Sequence, residues 1–90
     1  MAESVRSTIE NVLEDLTEDE LRKFKANLHD YQVKPGYNNI PRGQLQKADA
    51  LDLSDLLVSF YNEDYAVEVA AAVLMASNCK PQAQRLLRAV

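Results

Sequence analysis

Ninety residues, 47 % of them hydrophobic and only two of them glycine, describe one small folded domain (1–90) rather than a disordered tail. A formal charge of −4 argues against general nucleic-acid binding, and the longest apolar run, residues 69–76, is too short to cross a bilayer. Cys79 is the only cysteine, so no internal disulfide can form and a reducing compartment fits.

The first helix is expected over residues 3–14. Val5, Ile9, Val12 and Leu13 form its apolar stripe, with Leu16 extending it. Glu3, Ser7, Glu10 and Glu14 repeat on the opposite side. Glu3, Arg6 and Glu10 also interrupt the amino terminus before any leader-like apolar core forms, so no signal peptide is expected. Thr17 and Glu20 have capping-box spacing and open the second helix. Its inward row is Leu21, Phe24 and Leu28. The charge then changes sign along this one helix. Glu18, Asp19 and Glu20 suit the positive end of the dipole, whereas Arg22, Lys23 and Lys25 lie mid-helix, where the dipole explains little.

Residues 29–40 read as a long connection. Pro35-Gly36 and Asn38-Asn39 are turn signals, and Val33, Tyr37 and Ile40 are apolar enough to pin the loop to a core. His29 has no second ligand at metal-binding spacing. Pro41 suits the first position of a short third helix anchored by Leu45, with Arg42 and Lys47 outside. Residues 48–61 carry the fourth helix, with Leu53, Leu56, Leu57 and Phe60 as its stripe. Asp49, Asp52 and Asp55 crowd its start. Asp49 or Asp52 can cap it, each with another acid three residues on.

Asn62 marks the next break. The fifth helix, over 63–77, is built from small residues, with Ala66, Val69, Ala70, Val73 and Leu74 inward and Ala71, Ala72 and Ala76 broadening the face. Small side chains allow close approach, so this helix should be the central one. Pro81 starts a sixth helix, with Ala83, Leu86, Leu87 and Val90 inward and Arg85 and Arg88 outward. Cys79 reads as a partly buried helix-end residue. No alternating apolar run supports a strand, and the expected class is an all-α six-helix bundle.

Catalytic chemistry finds little support. Two isolated glycines cannot form a phosphate cradle, and Cys79 has no histidine near it in sequence. Paired acids such as Asp52 and Asp55 need a cleft and split pKa values to act as an acid and a base. The inward stripes are aliphatic, which leaves a metal site without ligands. The expectation is therefore no enzyme and no cofactor. The surface charge remains. Glu10, Glu14, Asp49, Asp52 and Asp55 can form an acidic surface, and Arg22, Lys23, Lys25, Arg42 and Lys47 a basic one. Opposite surfaces on different sides permit a head-to-tail contact that propagates. A small-molecule or nucleic-acid role for the basic residues is the weaker alternative.

Residues 13–28 (LEDLTEDELRKFKANL), 36–43 (GYNNIPRG) and 49–61 (DALDLSDLLVSFY) together resemble a pyrin domain of the death-fold superfamily, and the resemblance covers essentially the whole chain. The pattern is most similar to pyrin domains of the inflammasome-adaptor type. It implies a six-helix antiparallel bundle with Greek-key topology, a cytoplasmic location, homotypic binding to other pyrin-domain proteins and helical filaments in innate immune signalling. It also implies a contact between acids of helices 1 and 4 and bases of helices 2 and 3. Glu14, Asp49 and Asp52 match the acidic positions, and Arg22 and Arg42 match basic ones. Ser7 and Asn11 stand where the adaptor pattern has acids, and Asn27 where it has a lysine. Glu10, Lys23 and Lys25 are candidates to compensate. The missing charges leave open a regulatory decoy or cap that docks without propagating.

Overall fold

Capping chemistry sets most of the helix boundaries in the computed structural model, which describes residues 4–89. Within them lie α1 (Val5–Glu14), α2 (Glu18–Asp30), α3 (Arg42–Gln46), α4 (Ala50–Phe60), α5 (Glu63–Ala76) and α6 (Lys80–Ala89), with no strand. The Ser4 hydroxyl accepts from the Ser7 amide at 3.1 Å and starts α1. Thr17 and Glu20 form a reciprocal box on α2, at 3.1 and 2.9 Å. On α4 the Asp52 amide donates to Asp49 at 2.9 Å, and the Asp49 amide reaches back to Asp52 at 3.4 Å. Asp49 is thus the N-cap. Asn62 caps α5 by accepting from the Tyr65 amide at 2.7 Å.

A Schellman turn closes α5. The Cys79 amide donates to Leu74 O at 2.8 Å, the Asn78 amide donates to Met75 O at 3.2 Å, and Asn78 takes φ 63°. Asparagine tolerates that left-handed conformation better than most side chains.

The central position of α5 follows from its composition. Ala66, Val69, Ala70, Val73 and Leu74 are all buried, and the helix packs against α1, α2, α4 and α6. In turn α1 packs on α4 and α6, while α3 rests chiefly on α2. Ile9, Leu13, Phe24, Leu28, Leu53, Leu57 and Leu86 fill the spaces between them. Each such side chain contributes about 1.5–3 kcal/mol through burial.

Several expectations change. Pro41 sits at the N-cap of α3, one position before the first helical residue. Leu56 and Phe60 are half-buried at the edge of the α4 stripe. Leu87 is 54 % exposed, because Ala83 and Leu86 already face α5 and a residue one step on is rotated away. Ala76 is exposed, since the inward row continues through Val73 to Ser77 and leaves it outside. Cys79 is fully buried rather than partly so, and burial pushes its thiol pKa up. Glu3 and Val90 lie outside the described residues.

The connection between α2 and α3 is held from both ends. The Asn39 side-chain amide donates to His29 O at 3.1 Å and to Tyr31 O at 2.6 Å, satisfying carbonyls at the end of α2. The Tyr61 hydroxyl donates to Asn38 O at 3.0 Å, and the Lys34 amide donates to the Tyr65 hydroxyl at 2.8 Å. Tyr37 stacks on Tyr65 with centroids 4.5 Å apart, Ile40 is buried, and Val33 and Tyr37 are half-buried. Gly36 takes φ 94° after Pro35, the conformation a type II turn requires. These contacts fix where α3, and hence Arg42, stands.

Candidate protein-interaction surfaces

The acidic residues gather where α1 and α4 pack together. Asp49 and Asp52 are both exposed, and their side chains also form the α4 capping box. Glu14 is exposed and Glu10 half-buried one helical turn before it. The Glu10 carboxyl pKa is raised. Desolvation is the largest cause, followed by a hydrogen bond to Glu14 and Glu14's negative charge; Arg6 opposes these, and Asp49 adds a smaller push. α1 and α4 pack on each other, which brings Asp49 near enough for its charge to act on Glu10.

Part of that face is already neutralised. Arg6 on α1 pairs with Asp55 on α4 at 2.5 Å. Lys47 lies beside Asp52, Asp55 and Leu56 in an open hollow of about 410 Å³. It therefore stands at the edge of the acidic face and not with the bases of α2 and α3.

The basic residues divide. Arg22 and Lys25 on α2 and Arg42 on α3 line a groove of about 590 Å³, together with Leu21, Ala26, His29, Leu45 and Gln46. The Lys25 ammonium reaches Gln46 O at 3.5 Å across that groove. Among the described residues Glu18 is the only acid lining it. Lys23 stands apart on another side of α2, near Glu20 and Cys79, where its charge acts on the thiol. Residues three apart share a helix side and neighbours do not, so the spacing of Arg22, Lys23 and Lys25 already contained this division.

Asn27 has a structural task. Its amide donates to the Ser77 hydroxyl at 2.9 Å, and that hydroxyl donates to Val73 O at 2.8 Å. The pair ties α2 to the end of α5. Ser7 contributes its hydroxyl and amide to the α1 cap through Ser4. Sequence reasoning missed Arg6–Asp55 and Asn27–Ser77 because each joins residues about fifty positions apart. Among the described residues no group of three or more histidine, cysteine or acidic side chains is placed to hold a metal ion. No helix there is long and apolar enough to cross a membrane.

Residues 8–84 match the PAAD/DAPIN/Pyrin domain family. The chain belongs to the pyrin-domain family. It is 46 % identical over 84 residues to human Pyrin domain-containing protein 1, covering 93 % of this chain and 94 % of that protein. It is 44 % identical over 81 residues to mouse apoptosis-associated speck-like protein containing a CARD, covering 90 % of this chain but 42 % of that longer protein. Mouse NACHT, LRR and PYD domains-containing protein 3 is 43 % identical over 75 residues, only 7 % of its length. Among solved structures, the pyrin domain of human Pyrin superimposes with a TM-score of 0.90 at 35 % identity, covering 96 % of each chain. The fold is thus an all-α antiparallel six-helix bundle with the Greek-key topology of the death fold. Pyrin domains are non-enzymatic interaction modules of inflammasome proteins, and they bind one another homotypically.

Proposed function

We propose that residues 1–90 form one cytoplasmic docking module that self-assembles into helical filaments and recruits other pyrin-domain proteins in innate immune signalling. The separation of charge carries this reading. An acidic face of Glu10, Glu14, Asp49 and Asp52 stands on α1 and α4, and a basic groove of Arg22, Lys25 and Arg42 stands between α2 and α3. Lys23 extends the positive charge to a neighbouring side of α2. α1 packs on α4 and α2 on α3, with α5 a shared neighbour of α1, α2 and α4, so the two surfaces stand on separate helix pairs and each can meet its complement on another molecule. That contact leaves one surface of each kind open at the ends and can repeat. One exposed ion pair contributes roughly 0–1 kcal/mol, but a filament makes the contact at every subunit.

Light scattering after size exclusion, across a range of concentrations at moderate salt, tests the reading. Concentration-dependent growth is expected. A strictly monomeric protein that also ignores other pyrin domains would falsify it.

A second reading, a cap that binds filament ends without extending them, draws on a specific observation. Asn27 holds Ser77 where the adaptor pattern carries a lysine, so the α2 surface lacks one expected charge. Seeding separates the two. A cap slows growth of partner filaments and does not template its own.

A further inference from the structure

The groove between α2 and α3 has a property that needs no protein partner. Arg22 and Lys25 stand on its α2 wall and Arg42 on its α3 wall, and the apolar side chains of Leu21, Ala26 and Leu45 also line it. Its volume of about 590 Å³ falls within the size of small-molecule sites, roughly 300–1,000 Å³. Three cations face one acid there, in a chain whose formal charge is −4. They are poorly neutralised from within. Arg42 has no acidic partner among the described residues, Arg22 reaches Asp19 only at 3.8 Å, and Lys25 meets a backbone carbonyl.

The walls are also held in place. Buried Leu45 and Ile40 anchor α3 and its approach, and Asn39 ties the same approach to the end of α2. Binding therefore has to order the cationic side chains but not the backbone that carries them. A single carboxylate answers one cation. A run of phosphates offers separate oxygens to each, and the arginine fork matches phosphate geometry. The apolar side chains in the lining give a flat ring a strip to lie on.

We infer that this groove binds a small polyanion of the nucleoside polyphosphate class, with phosphates on Arg22, Lys25 and Arg42 and the base against Leu21 and Ala26. A bound nucleotide covers the cations on which docking draws, so nucleotide and acidic partner compete; this last clause rests on the function proposed above.

The test uses the Asp49→Arg protein, which leaves the groove untouched and is expected to stay monomeric. Metal-free ATP, tripolyphosphate and adenosine are titrated separately while backbone amide resonances are followed. ATP and tripolyphosphate should each shift Arg22, Lys25, Arg42 and Gln46 saturably, ATP at the lower concentration, and adenosine should leave them in place. Arg42→Glu should weaken ATP binding at least tenfold, and Lys80→Glu with Arg88→Glu on α6 should not change it. Arg22→Glu serves the same purpose if the Arg42 variant loses its dispersed spectrum. No saturable shift at millimolar ATP, shifts spread equally over α6, or indifference to both groove variants overturns the site. ATP no tighter than tripolyphosphate overturns the role of the apolar strip. Competition is read on the wild-type chain. Assembly that proceeds unchanged under saturating ATP removes the competition and leaves the site, whereas no assembly even without ATP counts against the docking reading alone.

Discussion

The acidic face and the basic groove carry opposite charge, but they are built on different foundations. The acidic face stands on two long helices packed against each other, and two of its carboxylates cap one of them. Its residues therefore hold the fold as well as the charge. The basic groove has one wall on a helix of only five residues, kept in position by a loop and one buried leucine. Arg42 caps nothing and has no acidic partner among the described residues. Chemistry that stabilises the monomer and chemistry available for docking are therefore combined on one side and separate on the other.

The most severe way to break this contrast is to loosen the weaker foundation. Leu45→Ala is expected to cost about 2–5 kcal/mol in chemical denaturation, as truncation of a buried leucine does elsewhere. Amide exchange should speed up first in α3 and the loop before it, ahead of α1 and α4. Uniform acceleration over the whole bundle would mean that α3 is as firmly founded as the acidic face.

Charge reversal comes next. Arg42→Glu should raise the concentration needed for assembly at least tenfold and leave thermal stability within about 0.5 kcal/mol of the parent, as for other exposed sites. Asp49→Arg should block assembly as strongly and also cost about 1 kcal/mol, because it removes the α4 N-cap. Far-UV circular dichroism and light scattering read the two effects separately. Equal stability of the two variants would erase the proposed difference between the surfaces.

A gentler change sharpens the same point. Asparagine caps a helix nearly as well as aspartate, so Asp49→Asn should keep stability within a few tenths of a kcal/mol. Assembly should weaken, by less than the reversal causes. Assembly at the parent level would show that Asp49 matters through its cap alone.

The smallest effect concerns pH. The folded-state pKa of Glu10 is raised above its unfolded value. Any stabilisation from this group is fully present below the unfolded pKa and is lost as pH rises through the folded one. Acidification within the carboxylate range should therefore favour the monomer's fold at this site while stripping charge from the docking face. Folding and assembly should respond with opposite sign. Glu14→Gln, followed by carboxyl NMR, should bring the Glu10 pKa back toward the ordinary range. No movement would mean that Glu14 has no part in holding it up.

Much of the fold was legible because its signals are local. Thr17 with Glu20, Asp49 with Asp52, and Asn62 announce helix starts within four residues. The small-residue face of α5 announced a central helix. The family segments put Glu14 on α1, Asp49 and Asp52 at the start of α4, and Arg22 and Arg42 on α2 and α3, and the helix boundaries agree. What escaped depends on contacts between distant parts of the chain. Nothing near Tyr61 or Tyr65 says that their hydroxyls meet the loop twenty to thirty residues earlier. Leu87 lies one residue outside the buried stripe of α6, a step too small for apolar character alone to reveal. The division of Lys23 from Arg22 and Lys25 was readable from helical spacing. The placement of Lys47 beside acids was not, since it depends on how the α3–α4 turn folds back.

The tyrosines around the loop give the molecule a built-in optical reporter. The chain has four tyrosines and no tryptophan. Tyr37, Tyr61 and Tyr65 lie in one cluster with ring centroids 4.5–5.6 Å apart, and Tyr31 starts the loop that they clamp. Near-ultraviolet ellipticity therefore watches the α2–α3 connection, while far-ultraviolet ellipticity watches the whole bundle. A heating curve recorded in both regions distinguishes release of the loop from loss of the helices without attaching any label.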